Sequence, residues 1–138
     1  MKLYSYLQAV KCARTDYDWA RSVIEELDAG ASLPKTSFEP HGRSGSVTDI
    51  TQIDALRRIS RRKYAGKKMR DALATLNEFK AIIRRADLND LAQAAMWARW
   101  GAKLTYKEIG ERLGMPTHQA CALIHDAESI VQPIVEGL

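Results

Sequence analysis

The chain reads as an all-α protein, and three observations carry that reading. Apolar residues recur at spacings of three and four along most of its length. Ala, Leu, Ile, Arg, Lys and Glu are common, and most of these side chains lose little rotamer freedom on a helix. No alternating strand pattern and no internal repeat is present.

The first helix is expected over residues 3–28, where Leu3, Leu7, Val10, Ala13 or Arg14, Tyr17, Ala20, Ile24 and Leu27 share one face. Asp28-Ala29-Gly30 closes it, with Gly30 as the C-terminal cap. Residues 30–47 hold two of the four prolines and three of the eight glycines, the composition of a loop or linker. Thr48 or Asp49 then caps a second helix by accepting from a free backbone N–H. That helix carries Ile50, Ile53, Leu56 and Ile59, the basic run RRISRRKYAGKKMR, and Leu73, Leu76, Phe79, Ile82 and Ile83. No Pro interrupts residues 41–115, so one long helix to about Arg85 is allowed, with a kink or break conceivable at Gly66. Pairing it with the first helix makes an antiparallel hairpin, and its apolar residues after 70 are free to pack on the C-terminal part. Asn89 or Asp87 caps a further helix through about Trp100, ended by Gly101.

The segment LTYKEIGERLGMPTHQACALIHDAESIV, Leu104 to Val131, carries the most local information. Thr105 and Glu108 have the spacing of a capping box. Ile109 and Leu113 face inward, and Gly114 supplies a left-handed turn that only Gly adopts cheaply. Met115 fills the turn from inside. Pro116 and Thr117 start a second helix, with Ala120, Ile124 and Ala127 inward. A short capped helix, a Gly turn and a second helix describe a helix-turn-helix, and the small Gly110 suits its close crossing. The expected architecture is a helical hairpin over residues 1–86, containing loop 30–47, followed by a C-terminal helix-turn-helix domain over 87–138. A chain of 138 residues is long enough for this.

Bulk properties narrow the function. The net charge is +4, yet residues 57–85 alone carry +9, with −2 before them and −3 after. A dense basic stretch between acidic ones points to a polyanion partner. The competing account is a solvated helix face paired with Asp16, Asp18, Glu25 and Glu26 of the first helix. No stretch approaches the roughly 20 apolar residues of a membrane span. The start, MKLYSYLQAVKCARTDYDW, lacks the long apolar core of a signal peptide. Two cysteines are too few for a disulfide framework. A cytoplasmic location follows from these as an expectation, with no membrane partner.

Other constellations have plainer explanations. His118, Cys121 and His125 lie on one helical face, but along a straight helix they span about 10 Å, too far for one tetrahedral zinc. Asp87 and Asp90 read as helix caps rather than magnesium ligands. There is no Gly-rich phosphate loop and no nucleophile with a base. No enzyme activity, metal or cofactor is expected. Trp97 and Trp100 read as core joining their helix to the motif rather than as stacking platforms for bases, with Arg99 and Lys103 near enough to reach phosphate.

The segment LTYKEIGERLGMPTHQACALIHDAESI resembles region four of bacterial sigma factors and the related tails of small phage regulators. With a first helix, the loop HGRSGSVTD and the charged helix ITQIDALRRI before it, the layout is similar to phage late-transcription activators of the RinA/ArpU kind. The resemblance covers residues 88–131 firmly and most of the chain loosely. It implies a DNA-binding transcription regulator in which Ala120, Ile124 and Ala127 are core positions of the recognition helix. It implies that Thr117, His118, Gln119, Ala122 and His125 lie near the major groove, where Gln pairs with adenine and Thr or Ala touches a thymine methyl. Thr105, Tyr106 and Lys107, at the start of the motif's first helix, would meet the DNA backbone. Phosphate contacts from Arg57, Arg58, Arg61, Arg62, Lys63, Lys67 and Lys68 would add affinity.

The sequence departs from that family in one respect. Members usually place Arg or Lys in the recognition helix, and this chain has neither after Arg112. Cys121, Ala122 and Leu123 stand there instead, and the last 26 residues carry three acidic groups. Two further readings therefore stay open. One is a protein-interaction module that binds RNA polymerase, a sigma factor or another host protein. The other is a phage packaging component. A homodimer is expected under the DNA reading, because one motif rarely supplies enough affinity alone.

Overall fold

In the computed structural model, which describes residues 2–32 and 45–138 and the side chains of 2–29 and 52–138, the chain is all-α. Its elements are α1 (Leu3–Ser32), α2 (Gly45–Arg85), α3 (Asp90–Met96), a π-helical turn (Trp97–Gly101), α4 (Tyr106–Leu113) and α5 (Thr117–Glu136). No strand occurs among the described residues. Most of the loop expected over 30–47, namely 33–44, lies outside them.

Several boundaries differ from the expected ones. Helix α1 continues through Gly30 to Ser32, so Gly30 is not its cap. One interior Gly costs about 1 kcal/mol, which flanking Ala29 and Ala31, the best helix former on either side, help to offset. Helix α2 begins at Gly45, so Thr48 and Asp49 sit inside its first turns instead of capping it. It runs unbroken through Gly66, whose missing Cβ would meet only the Arg70 Nη1, at 3.6 Å.

The chain divides into two compact units, one of residues 1–16 with 71–138 and one of residues 17–70. In the first, Tyr6, Leu7, Val10 and Ala13 of α1 are buried, as are Leu76, Phe79, Ile82 and Ile83 of α2. Leu73, expected among these, is exposed, and its neighbour Ala72 is buried in its place. The Phe79 ring lies 6.3 Å from Tyr6 and stacks on Trp97 at 6.2 Å. The apolar residues after 70 thus pack with the C-terminal helices. Helix α5 packs on α3 and α4 and buries Ala120, Ile124, Ala127, Val131 and Val135. In the second unit Ala20 and Val23 pack on Ala65, with Ile24, Leu27 and Met69 around them.

The turn from α3 to α4 departs most from a regular helix. Asn89 caps α3, its side chain accepting from Ala92 N at 2.7 Å. After Met96 the helix widens, and Ala102 N donates to the Trp97 carbonyl five residues back. Gly101 makes this possible, because a Cβ there would lie 2.4 Å from the Trp97 ring. Lys103 follows in the left-handed region, at φ 61°. Its ammonium donates to Thr15 Oγ1 at 2.7 Å, which ties this corner to α1.

Candidate nucleic-acid interface

The local chemistry of residues 104–120 builds a rigid helix–turn–helix corner. Glu108 N donates to Thr105 Oγ1 at 3.2 Å, and Thr105 N donates to Glu108 Oε1 at 3.3 Å, completing the capping box. Gly114 closes α4 at φ 71°, and Met115 N donates to the Gly110 carbonyl at 2.9 Å. The need for Gly at 110 is sharper than helix crossing alone: a Cβ there would lie 2.7 Å from the Met115 carbonyl oxygen. Pro116 enters α5 with extended backbone, and its carbonyl accepts from Gln119 N and Ala120 N.

This corner sorts the first three turns of α5 into two faces. Ala120, Ile124 and Ala127 are buried, while Thr117, His118, Gln119, Ala122 and His125 are all exposed. Cys121 and Leu123 are half-buried at the edges. Lys107 is exposed beside the start of α4 and Tyr106 is half-buried. The Thr105 hydroxyl is occupied by the cap and also donates to Glu108 Oε1 at 3.0 Å.

A chain of aromatic and charged contacts holds this surface. The Arg99 guanidinium lies 4.4 Å from the Tyr106 ring centre and 5.4 Å from that of Trp100. Its Nη1 donates to the Leu104 carbonyl at 3.1 Å. Arg99 is therefore an internal brace and is not directed at phosphate. The Tyr106 and His125 rings are 6.2 Å apart. His125 Nδ1 lies 3.6 Å from Glu128 Oε2, and the other oxygen of Glu128 accepts from Trp100 Nε1 at 3.0 Å. Trp100 is buried and joins the π turn to α5, the role expected for it. Glu128 is a residue that the sequence-based expectations miss. Its signal is its place three residues beyond His125, one helical turn away on the same side.

The basic stretch belongs to the other unit. Arg57, Arg58, Arg61, Arg62, Lys63 and Lys67 are exposed, and Lys68 is half-buried with its ammonium 5.9 Å from the Tyr64 ring. Arg62 forms an ion pair with Asp28, an acid not among those anticipated. Glu25 pairs with Arg21 at 3.0 Å instead of with α2. Glu26, Leu27 and Asp54 line an open groove of about 430 Å³ with Arg57, Arg58 and Arg61. Part of the basic charge is therefore compensated by the end of α1, and part faces solvent.

Among the described residues, no three His, Cys, Asp or Glu side chains converge as metal ligands, and no helix is long and apolar enough to cross a membrane. Away from this interface, burial and then the nearby Glu78 carboxylate push the Tyr6 phenol far above its usual value.

No protein-family model, curated protein or solved structure matches the chain.

Proposed function

We propose that this chain is a DNA-binding regulator of transcription, of the phage late-activator kind, acting in the cytoplasm of a bacterial host. Helix α5 reads base edges from its first two turns, and the start of α4 meets the phosphate backbone. One observation carries the reading. A capped helix and a Gly turn present Thr117, His118, Gln119, Ala122 and His125 to solvent together, with the opposite face of α5 fully buried. Those exposed groups are the right size and polarity for a major groove. Gln119 offers a paired donor and acceptor for adenine, and Ala122 offers a methyl for thymine. The exposed cations of α2 supply the sequence-independent part of the affinity.

A salt titration of binding to mixed-sequence duplex DNA tests this. The expected result is micromolar or tighter binding that weakens steeply with salt, with Gln119→Ala altering preference at one base of a selected site. No binding at low salt would overturn the reading.

A second reading, contact with RNA polymerase, a sigma factor or another host protein, is favoured by the chemistry of α5 itself. The helix has no Lys or Arg, and Leu123 and Ile130 remain partly or largely exposed on it. Absent DNA binding, capture of polymerase by the intact chain would establish it.

A further inference from the structure

In the unit of residues 17–70, α1 and α2 meet on small side chains. Ala20 and Ala65 are fully buried, with Val23 beside them. Helices that pack on alanine approach closely and leave no room between them for a large ring. The residue before each alanine is nevertheless aromatic, Trp19 on α1 and Tyr64 on α2. One residue is about 100° around a helix, so both rings stand on the flank of the helix pair and not in its core. They share one flank, because their ring centres are 5.9 Å apart, edge to face at 76°. Trp19 is 42% exposed and Tyr64 55%, so two rings are presented to solvent as one ledge.

The same flank of α2 is basic. Arg57 and Arg61 lie seven and three residues before Tyr64, and Lys67 and Lys68 lie three and four after it, on one helical stripe. These cations extend over about 16 Å at 1.5 Å per residue. No Asp or Glu occurs from residue 55 to residue 70, and Asp71 ends the stripe. The Lys68 ammonium lies 5.9 Å from the Tyr64 ring centre, so charge and ring already stand together. The acids of α1 act largely elsewhere. Asp28 pairs with Arg62, two residues from Tyr64 and about 160° around the helix from it. Glu25 pairs with Arg21. Glu26 and Asp54 offset part of the charge of Arg57 and Arg61 in their shared groove.

A row of cations beside exposed rings suits a polyanion whose repeating unit carries a flat π face. A nucleic acid offers that face only where its bases are unstacked, since in a duplex each base is covered by its neighbours. We propose that Trp19 and Tyr64 form a stacking platform for a single-stranded nucleic acid, with Arg57, Arg61, Lys67 and Lys68 holding its phosphates. A base stacks on the ring ledge while the backbone follows the basic stripe. The platform belongs to a different unit from α5 and stands whether or not α5 reads duplex DNA. The cations serve either ligand by charge, and the rings serve only the single strand.

Titration of the whole chain with oligothymidylate and with oligouridylate tests this, followed by tryptophan fluorescence and by the anisotropy of a labelled strand. The expected result is micromolar binding at low salt with quenching of indole emission, weakening with a salt slope of about 0.7 per phosphate contacted. Binding of either strand supports the site, and the tighter of the two names its sugar. Tyr64→Ala should weaken binding by about 5- to 100-fold, the range of one stacked base, whereas Tyr64→Phe should keep it. Trp19→Phe should keep binding and lose most of the quenching, since Trp97 is half-buried and Trp100 buried. Circular dichroism verifies that each variant retains its helix content. Absence of binding to both strands would overturn the proposal, as would an affinity indifferent to Tyr64→Ala. Polyglutamate bound as tightly as the strands would overturn it too, because charge alone would then be recognised.

Discussion

Replacing Gly110 by Ala and replacing Gly66 by Ala add the same methyl group to the same kind of backbone, and the structure gives them opposite signs. At Gly66 the new Cβ would meet only the end of the Arg70 side chain, at an ordinary 3.6 Å. Ala at a helix interior is favoured over Gly by about 1 kcal/mol, so Gly66→Ala should stabilise by up to that amount. At Gly110 the new Cβ would lie 2.7 Å from the Met115 carbonyl oxygen, several tenths of an ångström inside an ordinary contact. That oxygen cannot rotate away. It belongs to the turn set by Gly114 at φ 71° and by the bond from Met115 N to the Gly110 carbonyl. Overpacking of this kind costs about 1–3 kcal/mol. Set against the helix preference of Ala, Gly110→Ala should destabilise by up to about 2 kcal/mol. Thermal unfolding followed by circular dichroism should separate the two variants by several degrees, on the order of 3–4 °C per kcal/mol for a chain of this size. A Gly110→Ala protein as stable as the Gly66→Ala protein would refute the argument, since the turn would then not be held against α4.

Three further outcomes are expected. Thr105→Ala removes the side chain that accepts from Glu108 N and should destabilise by about 0.5–2 kcal/mol in urea titration. Tyr6 stays protonated in the fold at a pH where the unfolded chain has given up that proton, so stability should be intact below about pH 10 and fall above it, by at most about 1.4 kcal/mol per pH unit. Alkaline unfolding curves should show a shallower decline in Tyr6→Phe, and an unchanged slope would contradict the assigned burial. Arg61→Ala with Arg62→Ala should weaken binding to all DNA sequences alike and lower the salt slope by about 0.9 for each phosphate no longer neutralised. The same double variant should unfold within about 1 kcal/mol of the unaltered chain, because the Arg62–Asp28 pair is exposed.

The C-terminal part is more legible in the sequence than the N-terminal part, and the reason is the range of the forces involved. Asn89, the Thr105–Glu108 box and Gly114 act through atoms within a few residues, so their spacing alone places the ends of α3 and α4. Ala120, Ile124 and Ala127 are expected inward and are buried. Along α2 the same periodic argument says less. Ile53, Leu56 and Ile59 have helical spacing and are exposed, because periodicity identifies a face without saying what reaches it. Leu73 is exposed beside the buried Ala72 for the same reason. The Arg62–Asp28 pair joins residues far apart in sequence, and no local pattern announces it. The exposed polar set on α5 is legible from Thr117 to His125, whereas the anchoring of Glu128 by Trp100 depends on how the π turn meets α5.

The π turn also decides how the helix begun by α3 comes to an end. Between Trp97 and Gly101 the backbone bonds span five residues where a regular helix spans four, so the turn accommodates one additional residue. The helix ends there, with Ala102 as its C-terminal cap and Lys103 left-handed at φ 61°, so the extra residue widens its last turn. The widened turn is accommodated where Gly101 leaves room for the indole of Trp97.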